Sequence, residues 1–219
     1  MKIGIIGPGR IGGNCAVQAV KGGHEVMLSF ARDRSKLEAL ASELGSRASV
    51  GDPREAAQSA DLVILSVPWG VIPDALEQVG ALAGMIVIDT TNQFGSGPKP
   101  AEGQTAASFN ASRMPGARYT KSFNTLTSAF QAEAAEREGD QKIVQWIAGD
   151  EAEAKQVVAQ LIEDMGYVPV DLGPIATCQV MEAPRRPGAV YGEEYRAADA
   201  QPVVDAVARG HEIPPTPSY

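Results

Sequence analysis

The amino-terminal stretch constrains the fold of this chain more than any other part of the sequence. Residues 2–6 form a short apolar run of the kind that makes a buried strand, and G-P-G-R-I-G follows directly at residues 7–12. The residues from about 11 to 21 then have the character of a helix. A G-x-G-x-x-G sequence is common in ordinary glycine-rich turns, but between a strand and a helix it is the fingerprint of a dinucleotide-binding fold.

Each glycine of this motif has its own expected role. Gly7 makes the sharp turn, Gly9 lets the backbone approach a pyrophosphate, and Gly12 lets the helix pack closely against the strand. The free N–H groups at the start of the helix, together with the helix dipole, favour phosphate at this point. We therefore predict that a dinucleotide binds at residues 7–12.

Composition and charge limit the class of protein. Of 219 residues, 44% are apolar, which is ample for a packed core, and no segment is long and apolar enough to cross a membrane. The net charge of −8 argues against nucleic acid or an anionic membrane as a partner. The chain enters a strand at once without a basic leader, so we expect a cytoplasmic protein. Cys15 and Cys178 are then expected to be reduced and structural, and no metal-ligand spacing is visible.

The end of the second predicted strand, residues 24–30, bears on which dinucleotide binds. A cofactor with a free ribose 2′-hydroxyl usually meets an Asp or Glu at this position, but here the sequence is S-F-A-R at residues 29–32. Asp33 lies at about the expected distance from the glycine motif, but beyond the strand, and is better explained as the N-cap of a helix at 34–44.

Guanidinium and hydroxyl groups at this point can instead hold a 2′-phosphate. The sequence therefore favours NADP over NAD, although solvated arginines at a helix start remain an alternative. The candidate donors are Ser29, Arg32, Arg34 and Ser35.

The rest of the chain continues to alternate strands with helices. Further strands are predicted at 61–67, 84–89, 118–122, 141–149 and 167–171. Helices are predicted at 53–59, 71–82, 105–112 and 128–137. Another helix is predicted to begin at Asp150, which with Glu153 resembles a capping box. This order predicts an α/β fold with a doubly wound parallel sheet, a Rossmann domain at residues 1–172. Residues 173–219 are rich in Pro and Gly and are expected to form an irregular extension with one short helix near 203–208.

In a doubly wound sheet the ligand lies beyond the carboxyl ends of the strands. Residues that follow the predicted strands should therefore line one crevice with Gly9, unless they serve only as ordinary loop residues. They are Ser66, Val67, Pro68, Thr91 and Asn92.

Several segments together resemble a known family. They are residues 5–12, 65–69, 88–92, 121–126, 148–150 and 171–174. In this order they resemble the NADPH-dependent coenzyme F420 reductases, also called F420-dependent NADP oxidoreductases, and the oxidoreductase domain of STEAP metalloreductases is similar. The resemblance implies a Rossmann domain with a small carboxyl-terminal extension, usually dimeric. It also implies hydride exchange between nicotinamide C4 and C5 of a deazaflavin.

The resemblance also implies roles for individual residues. The pyrophosphate would be held by Gly7, Gly9, Arg10 and Ile11, and the 2′-phosphate by Ser29 and Arg32. The ribose and nicotinamide would be flanked by Val67 and Pro68. The reacting face would lie near Asn92, Asn124 and Thr125. From Thr177 onward the chain departs from the family pattern, which leaves open whether coenzyme F420 or a flavin is the second substrate.

Residues able to donate or accept a proton are scarce in the predicted crevice. His24 and His211 are poorly placed, and Lys121 at a strand end is expected to be solvated. Tyr191 and Tyr195 belong to the extension, where packing is the simpler interpretation. Hydride transfer to an electron-accepting ring depends on orientation more than on a protein acid, so this scarcity fits such a reaction.

The sequence thus predicts a cytoplasmic, dimeric NADP(H)-dependent oxidoreductase with a small redox substrate of deazaflavin or flavin type. Three alternatives remain: a reductase of another flavin, a quinone or a ferric complex; a reductase of a small carbonyl or imine; and a non-catalytic module that senses NADPH.

Overall fold

The computed structural model describes residues 1–219 and contains one eight-stranded sheet. The strands are β1 (Lys2–Ile6), β2 (Glu25–Ser29), β3 (Ala48–Val50), β4 (Leu62–Leu65), β5 (Ile86–Asp89), β6 (Arg118–Lys121), β7 (Val144–Gly149) and β8 (Val168–Asp171). The helices are α1 (Arg10–Lys21), α2 (Arg34–Leu44), α3 (Pro53–Gln58), α4 (Ile72–Val79), α5 (Ala106–Ser112), α6 (Ser128–Ala134), α7 (Ala152–Asp164) and α8 (Ala197–Ala208).

The strand order β3-β2-β1-β4-β5-β6-β7-β8 confirms the predicted doubly wound fold. Strands β2 and β3 extend the sheet on one side of β1, and strands β4 to β8 extend it on the other side. The crevice outside β1 and β4 is therefore the topological switch point at which this fold binds ligands.

Two features of the sheet differ from the prediction. Strand β7 runs antiparallel to β6, with Thr120 opposite Gly149, so the sheet is mixed rather than wholly parallel. An apolar run looks the same in either direction, so the pattern of a buried strand does not reveal its orientation. The edge strand β3 was not predicted because it has only three residues, none of them fully buried.

The core lies in two layers, one on each face of the sheet. Alternate residues of one strand point to opposite faces. In β1, Ile5 packs with α1, α2, α6 and α7, whereas Ile6 packs with α3, α4 and α5. Nearly every strand is thus buried on both sides, which explains why the strands are continuous apolar runs.

Of the two predicted N-terminal helix caps, the one at Asp33 is confirmed and the one at Asp150 is wrong. The Asp33 side chain accepts a hydrogen bond from the Ser35 N–H at 3.0 Å and caps α2, as predicted. Asp150 does not cap α7, which begins after Glu151. The Asp150 carboxylate instead accepts from the Ile175 N–H at 2.8 Å and holds the start of the extension.

Residues 173–219, called the tail from here on, pack against the same core as α3 to α5. Tyr195 meets the Trp146 ring edge-on, with centroids 5.3 Å apart, and its carbonyl accepts from the Val144 N–H. Helix α8 is longer than predicted because its first turn contains small residues with weak apolar periodicity. None of the helices has the length and apolarity needed to cross a membrane.

Candidate functional site

The glycine motif forms the turn between β1 and α1, and its glycines meet different surroundings. Gly7 has a φ of +86°, and a Cβ there would lie 2.5 Å from the Val67 side chain. A Cβ on Gly12 would lie 2.6 Å from the Gly7 carbonyl oxygen. A Cβ on Gly9 would touch nothing within 4 Å, so this position faces open space. These surroundings match the separate roles of turn, ligand approach and helix packing.

The amino-terminal end of α1 is open to an anion. Gly9 occupies the N-cap position, no side chain caps the helix, and its first turn contains no acidic residue. The first N–H groups of a helix have no partner within it, and the helix dipole adds positive potential there. This end of α1 therefore fits a pyrophosphate.

Two clefts meet at Gly9 and residues 66–68. The β2-side cleft has a volume of about 410 Å³ and extends toward residues 30–37. The β5-side cleft has a volume of about 550 Å³ and extends toward the residues that follow β5 and β6. Because they share Gly9, Ser66, Val67 and Pro68, the clefts form one elongated depression across the switch point, the shape that a dinucleotide needs.

The predicted donors for a 2′-phosphate are not all brought together. Arg32 is exposed and lines the β2-side cleft. Ser29 is fully buried, and its hydroxyl donates to the Ile5 carbonyl at 3.3 Å. Arg34 pairs with Glu38 at 3.2 Å, and the Ser35 hydroxyl donates to Asp33 at 2.7 Å; neither lines the cleft.

Lys36 is a residue of this cleft that the sequence did not single out. It is exposed on the first turn of α2 and lines the β2-side cleft with Arg32. Asp33 lies between them, and hydrogen bonds from the Ser35 hydroxyl and N–H lower the pKa of its carboxyl group. The sequence could have indicated Lys36, because residues three positions apart on a helix are neighbours, and Lys36 follows the capping Asp33 by three positions.

The end of β2 carries unusual backbone geometry. Phe30 has a φ of +61° and lines the β2-side cleft, and Phe123, at the end of β6, has a φ of +57° and lines the β5-side cleft. A bulky residue in this left-handed region costs about 1–3 kcal/mol, and such residues concentrate at functional sites. Both lie at the carboxyl ends of strands, where the fold places its ligands.

The three residues predicted near the reacting face are not all brought to the cleft. Asn92 and Asn124 line the β5-side cleft, as does Thr91, which was predicted for the crevice. Thr125 does not line it; its side chain is buried, and its carbonyl accepts from the Gly192 N–H at 2.8 Å.

Asn92 and Asn124 pair with each other and hold the tail. The Asn92 amide donates to the Asn124 carbonyl at 2.8 Å, and the Asn124 amide donates to the Asn92 side-chain oxygen at 3.2 Å. Asn124 also donates to the Met181 carbonyl at 2.7 Å, and the Asn92 oxygen accepts from the Ala183 N–H at 3.2 Å. Both amides thus join the ends of β5 and β6 to the tail.

A buried polar network lies beneath these loops. Lys121 is completely buried, so the expectation that it is solvated was wrong. Its Nζ lies 3.3 Å from Asp89 and donates to the Thr91 carbonyl. Tyr119 and Asn110 also donate to Asp89, at 2.5 and 2.9 Å.

The charge of Asp89 is stabilised by these partners. Burial alone would raise the pKa of Asp89, but the attraction of Lys121 and the hydrogen bonds from Tyr119, Asn110 and the Thr91 N–H hold it below its ordinary value. A charged Asp89 paired with Lys121 fixes the backbone at Thr91, which leads into the β5-side cleft.

Tyr191 reaches the β5-side cleft from the tail. It lines the cleft together with Phe94, and burial raises its pKa. The position of Tyr191 depends on contacts between residues more than sixty positions apart in the sequence, such as Gly192 with Thr125. No local sequence pattern could therefore have placed Tyr191 in the cleft. Arg10 and Tyr191 are the titratable residues that line this cleft, and neither histidine lines either cleft.

Comparison with known proteins agrees with this geometry. Residues 2–93 match the family model described as NADP oxidoreductase, coenzyme F420-dependent. The rat metalloreductase STEAP3 is 29% identical over 182 residues, which is 83% of this chain and 36% of that protein. The chain therefore spans about a third of the length of this curated relative.

Two solved structures cover most of both chains. A hypothetical protein from Sinorhizobium meliloti has a TM-score of 0.78 and 28% identity, covering 90% of this chain and 95% of that one. A candidate F420-dependent NADP reductase from Arthrobacter sp. FB24 has a TM-score of 0.69 and 26% identity, covering 82% and 87%. The model of the coenzyme F420-dependent NADP oxidoreductases, which matches residues 2–93, agrees with the family that the motifs predicted.

Proposed function

We propose that this protein is an NADP(H)-dependent oxidoreductase that exchanges a hydride between nicotinamide C4 and a flat redox ring of deazaflavin or flavin type. The observation that carries the proposal is the continuous depression across the switch point. Its middle is the open end of α1 beside Gly9, one end carries Arg32, and the other is lined by aromatic residues. The match of residues 2–93 to the model of the coenzyme F420-dependent NADP oxidoreductases supports the same activity.

The chain's own residues have distinct parts in binding the nucleotide. The N–H groups at the start of α1 hold the pyrophosphate, and the open space at Gly9 lets it approach. Arg32 and Lys36 hold the 2′-phosphate, since both line the β2-side cleft. Val67 and Pro68 join the two clefts and flank the ribose next to the nicotinamide.

The chemistry asks little of the protein besides orientation. Bound NADPH supplies a hydride to the acceptor ring, which takes up a proton from solvent as it is reduced. The β5-side cleft has no histidine or carboxylate to act as acid or base. Its walls instead orient the two rings, which is the contribution such a transfer needs.

A second candidate is reduction of a quinone or a ferric complex, in place of a flavin-type ring, by NADPH. It is favoured by the similarity to rat STEAP3, a metalloreductase, which extends over 83% of this chain. The two candidates share the nucleotide site and differ in the acceptor.

The test has two stages. NADPH and NADH binding are measured first by isothermal titration calorimetry, and we expect NADPH to bind more tightly. NADPH oxidation is then followed by absorbance with coenzyme F420, FMN, riboflavin, a quinone and a ferric chelate. Turnover with F420 or a flavin supports the first candidate, and turnover with the quinone or iron alone supports the second. Absence of NADPH binding would refute both, whereas tight binding without any turnover would indicate a sensor.

A further inference from the structure

Phe94 and Tyr191 form an aromatic wall in the β5-side cleft. Their ring centroids lie 6.4 Å apart, and the ring planes are inclined by 56°. Phe94 is 57% exposed, although it is large and apolar. The two rings therefore present apolar faces to the cleft and to solvent, which a flat ligand could cover.

Hydrogen bonds hold the backbone at the two residues that carry these rings. The Phe94 N–H donates to the Asn92 carbonyl at 2.9 Å. On either side of Tyr191, the Val190 N–H donates to the Val180 carbonyl and the Gly192 N–H to the Thr125 carbonyl, both at 2.8 Å. Because these contacts exist before any ligand binds, stacking on the wall costs little ordering entropy.

Basic side chains are almost absent near the wall. Arg10 is the single basic residue lining the β5-side cleft, and it lies in the first turn of α1 next to the proposed pyrophosphate position. A smaller cleft of about 150 Å³ adjoins at Leu126 and Thr127. Glu193 and Glu194 line it, and the arginines that pair with them do not.

The nearby arginines of the tail are already engaged. Arg185 pairs with Glu193 at 2.5 Å. Arg186 donates to three backbone carbonyls of residues 179–184. Neither arginine lines the β5-side cleft, and Arg10 lies at the proposed pyrophosphate position, so an anionic group placed against the wall would gain no free counter-charge.

We infer that Phe94 and Tyr191 form the acceptor subsite, and that it takes a flat aromatic or quinone ring without an anionic tail. This inference rests on the proposed function and deepens it. It ranks riboflavin, which is uncharged, above FMN, which carries a phosphate, and above coenzyme F420, which carries a phosphodiester and carboxylates.

Equilibrium titration tests the subsite without relying on turnover. The fluorescence of riboflavin, FMN and coenzyme F420 is titrated with the full chain at saturating NADP⁺, in the wild type and in Phe94→Ala and Tyr191→Ala. Removing one stacking ring is expected to weaken riboflavin binding about tenfold. Tyr219→Ala removes a tyrosine that stacks on Arg196, outside the clefts, and is the matched control. NADPH affinity is measured in all four proteins by calorimetry.

The outcomes separate the two proposals. The inference is supported if the wild type binds riboflavin more tightly than FMN, and if this difference in affinity becomes smaller as salt is added. FMN or F420 binding at least as tightly as riboflavin, or absence of riboflavin binding, overturns it while NADPH binding keeps the proposed function. A loss of NADPH affinity in Tyr191→Ala without a loss of riboflavin affinity would also overturn it. Failure of the wild type to bind NADPH removes the proposed function, and this inference with it.

Discussion

Gly9 and Gly12 belong to the same motif, yet substituting them should have different consequences. In Gly9→Ala the new methyl group meets no protein atom within 4 Å, so the free energy of unfolding should change by less than about 1 kcal/mol. The methyl group would instead occupy the space of the ligand and lower NADPH affinity. In Gly12→Ala the methyl group lies 2.6 Å from the Gly7 carbonyl oxygen, and overpacking should destabilise the fold by about 1–3 kcal/mol.

Urea unfolding and calorimetric NADPH titration of both variants check this pair. Equal loss of stability in the two variants would contradict the assignment of Gly9 to the ligand.

Arg32 and Arg34 offer a comparison between two arginines two positions apart. Arg32 lines the β2-side cleft, whereas Arg34 pairs with Glu38 on the exposed face of α2. Arg32→Ala should weaken NADPH binding about tenfold or more and leave NADH binding nearly unchanged, because only NADPH has the 2′-phosphate. Arg34→Ala should change neither affinity by more than about twofold. Binding constants for both nucleotides decide the matter; an equal loss of NADPH and NADH affinity in Arg32→Ala would show that it does not recognise the 2′-phosphate.

At the residue scale, what the sequence could predict was local. The glycine roles follow from three positions within one turn, and Asp33 caps α2 because a capping residue lies next to its own helix. Ser29 and Lys121 show the limit. Both stand at strand ends, but whether such a side chain points to solvent or into the core depends on elements distant in the chain. Asp89, which pairs with Lys121, precedes it by 32 residues.

At the level of elements, the Asp89–Lys121 pair joins the ends of β5 and β6 and should govern acid stability. The pKa of Asp89 is lowered in the folded state, so it adds stability above its unfolded pKa of about 3.9, and this stability is lost as the pH falls through the folded value. Asp89→Asn leaves Lys121 buried without a counter-charge and should cost about 3–5 kcal/mol at neutral pH.

The pH dependence is what distinguishes this pair from ordinary packing. The difference in free energy of unfolding between the wild type and Asp89→Asn should shrink as the pH is lowered below about 4. Asp205→Asn, whose side chain on α8 is 47% exposed, is the control and should show almost no difference at any pH. Chemical unfolding at several pH values measures both differences, and a constant gap for Asp89→Asn would exclude a role for its charge.

Glu182 couples the tail to another element. Its two carboxylate oxygens accept from the N–H groups of Ala106 and Ala107, the first residues of α5, at 2.9 and 2.7 Å. Glu182→Ala leaves both N–H groups without this partner and should cost about 1–2 kcal/mol. Hydrogen exchange should rise in the tail as well as in α5, since the contact joins them. Glu153→Ala, with its side chain 85% exposed on α7, is the matched control; an increase confined to α5 would argue against the coupling.

At the scale of the whole molecule, the sequence predicted the order of elements better than their arrangement. Alternating apolar runs and helical periods were sufficient for the doubly wound sheet, because each element carries its own pattern. The reversal of β7 and the position of the tail depend on contacts between distant segments, such as Trp146 with Tyr195. The contribution of Tyr191 to the β5-side cleft, which we propose as part of the acceptor site, could therefore not be predicted from the sequence.

Because the proposed nucleotide site spans β1, β2, β4 and the start of α1, its occupancy should stabilise the whole fold. A ligand at about 100 times its Kd adds about 2.7 kcal/mol to the stability of the native state. For a chain of this size that corresponds to a rise in Tm of about 5–10 °C. NADH, which lacks the 2′-phosphate that Arg32 and Lys36 are proposed to hold, should raise Tm less at the same concentration, and Arg32→Ala should narrow the difference between the two nucleotides. Thermal unfolding across a nucleotide dilution series measures these shifts. Equal shifts for NADPH and NADH in the wild type would mean that the 2′-phosphate is not recognised, whatever the acceptor proves to be.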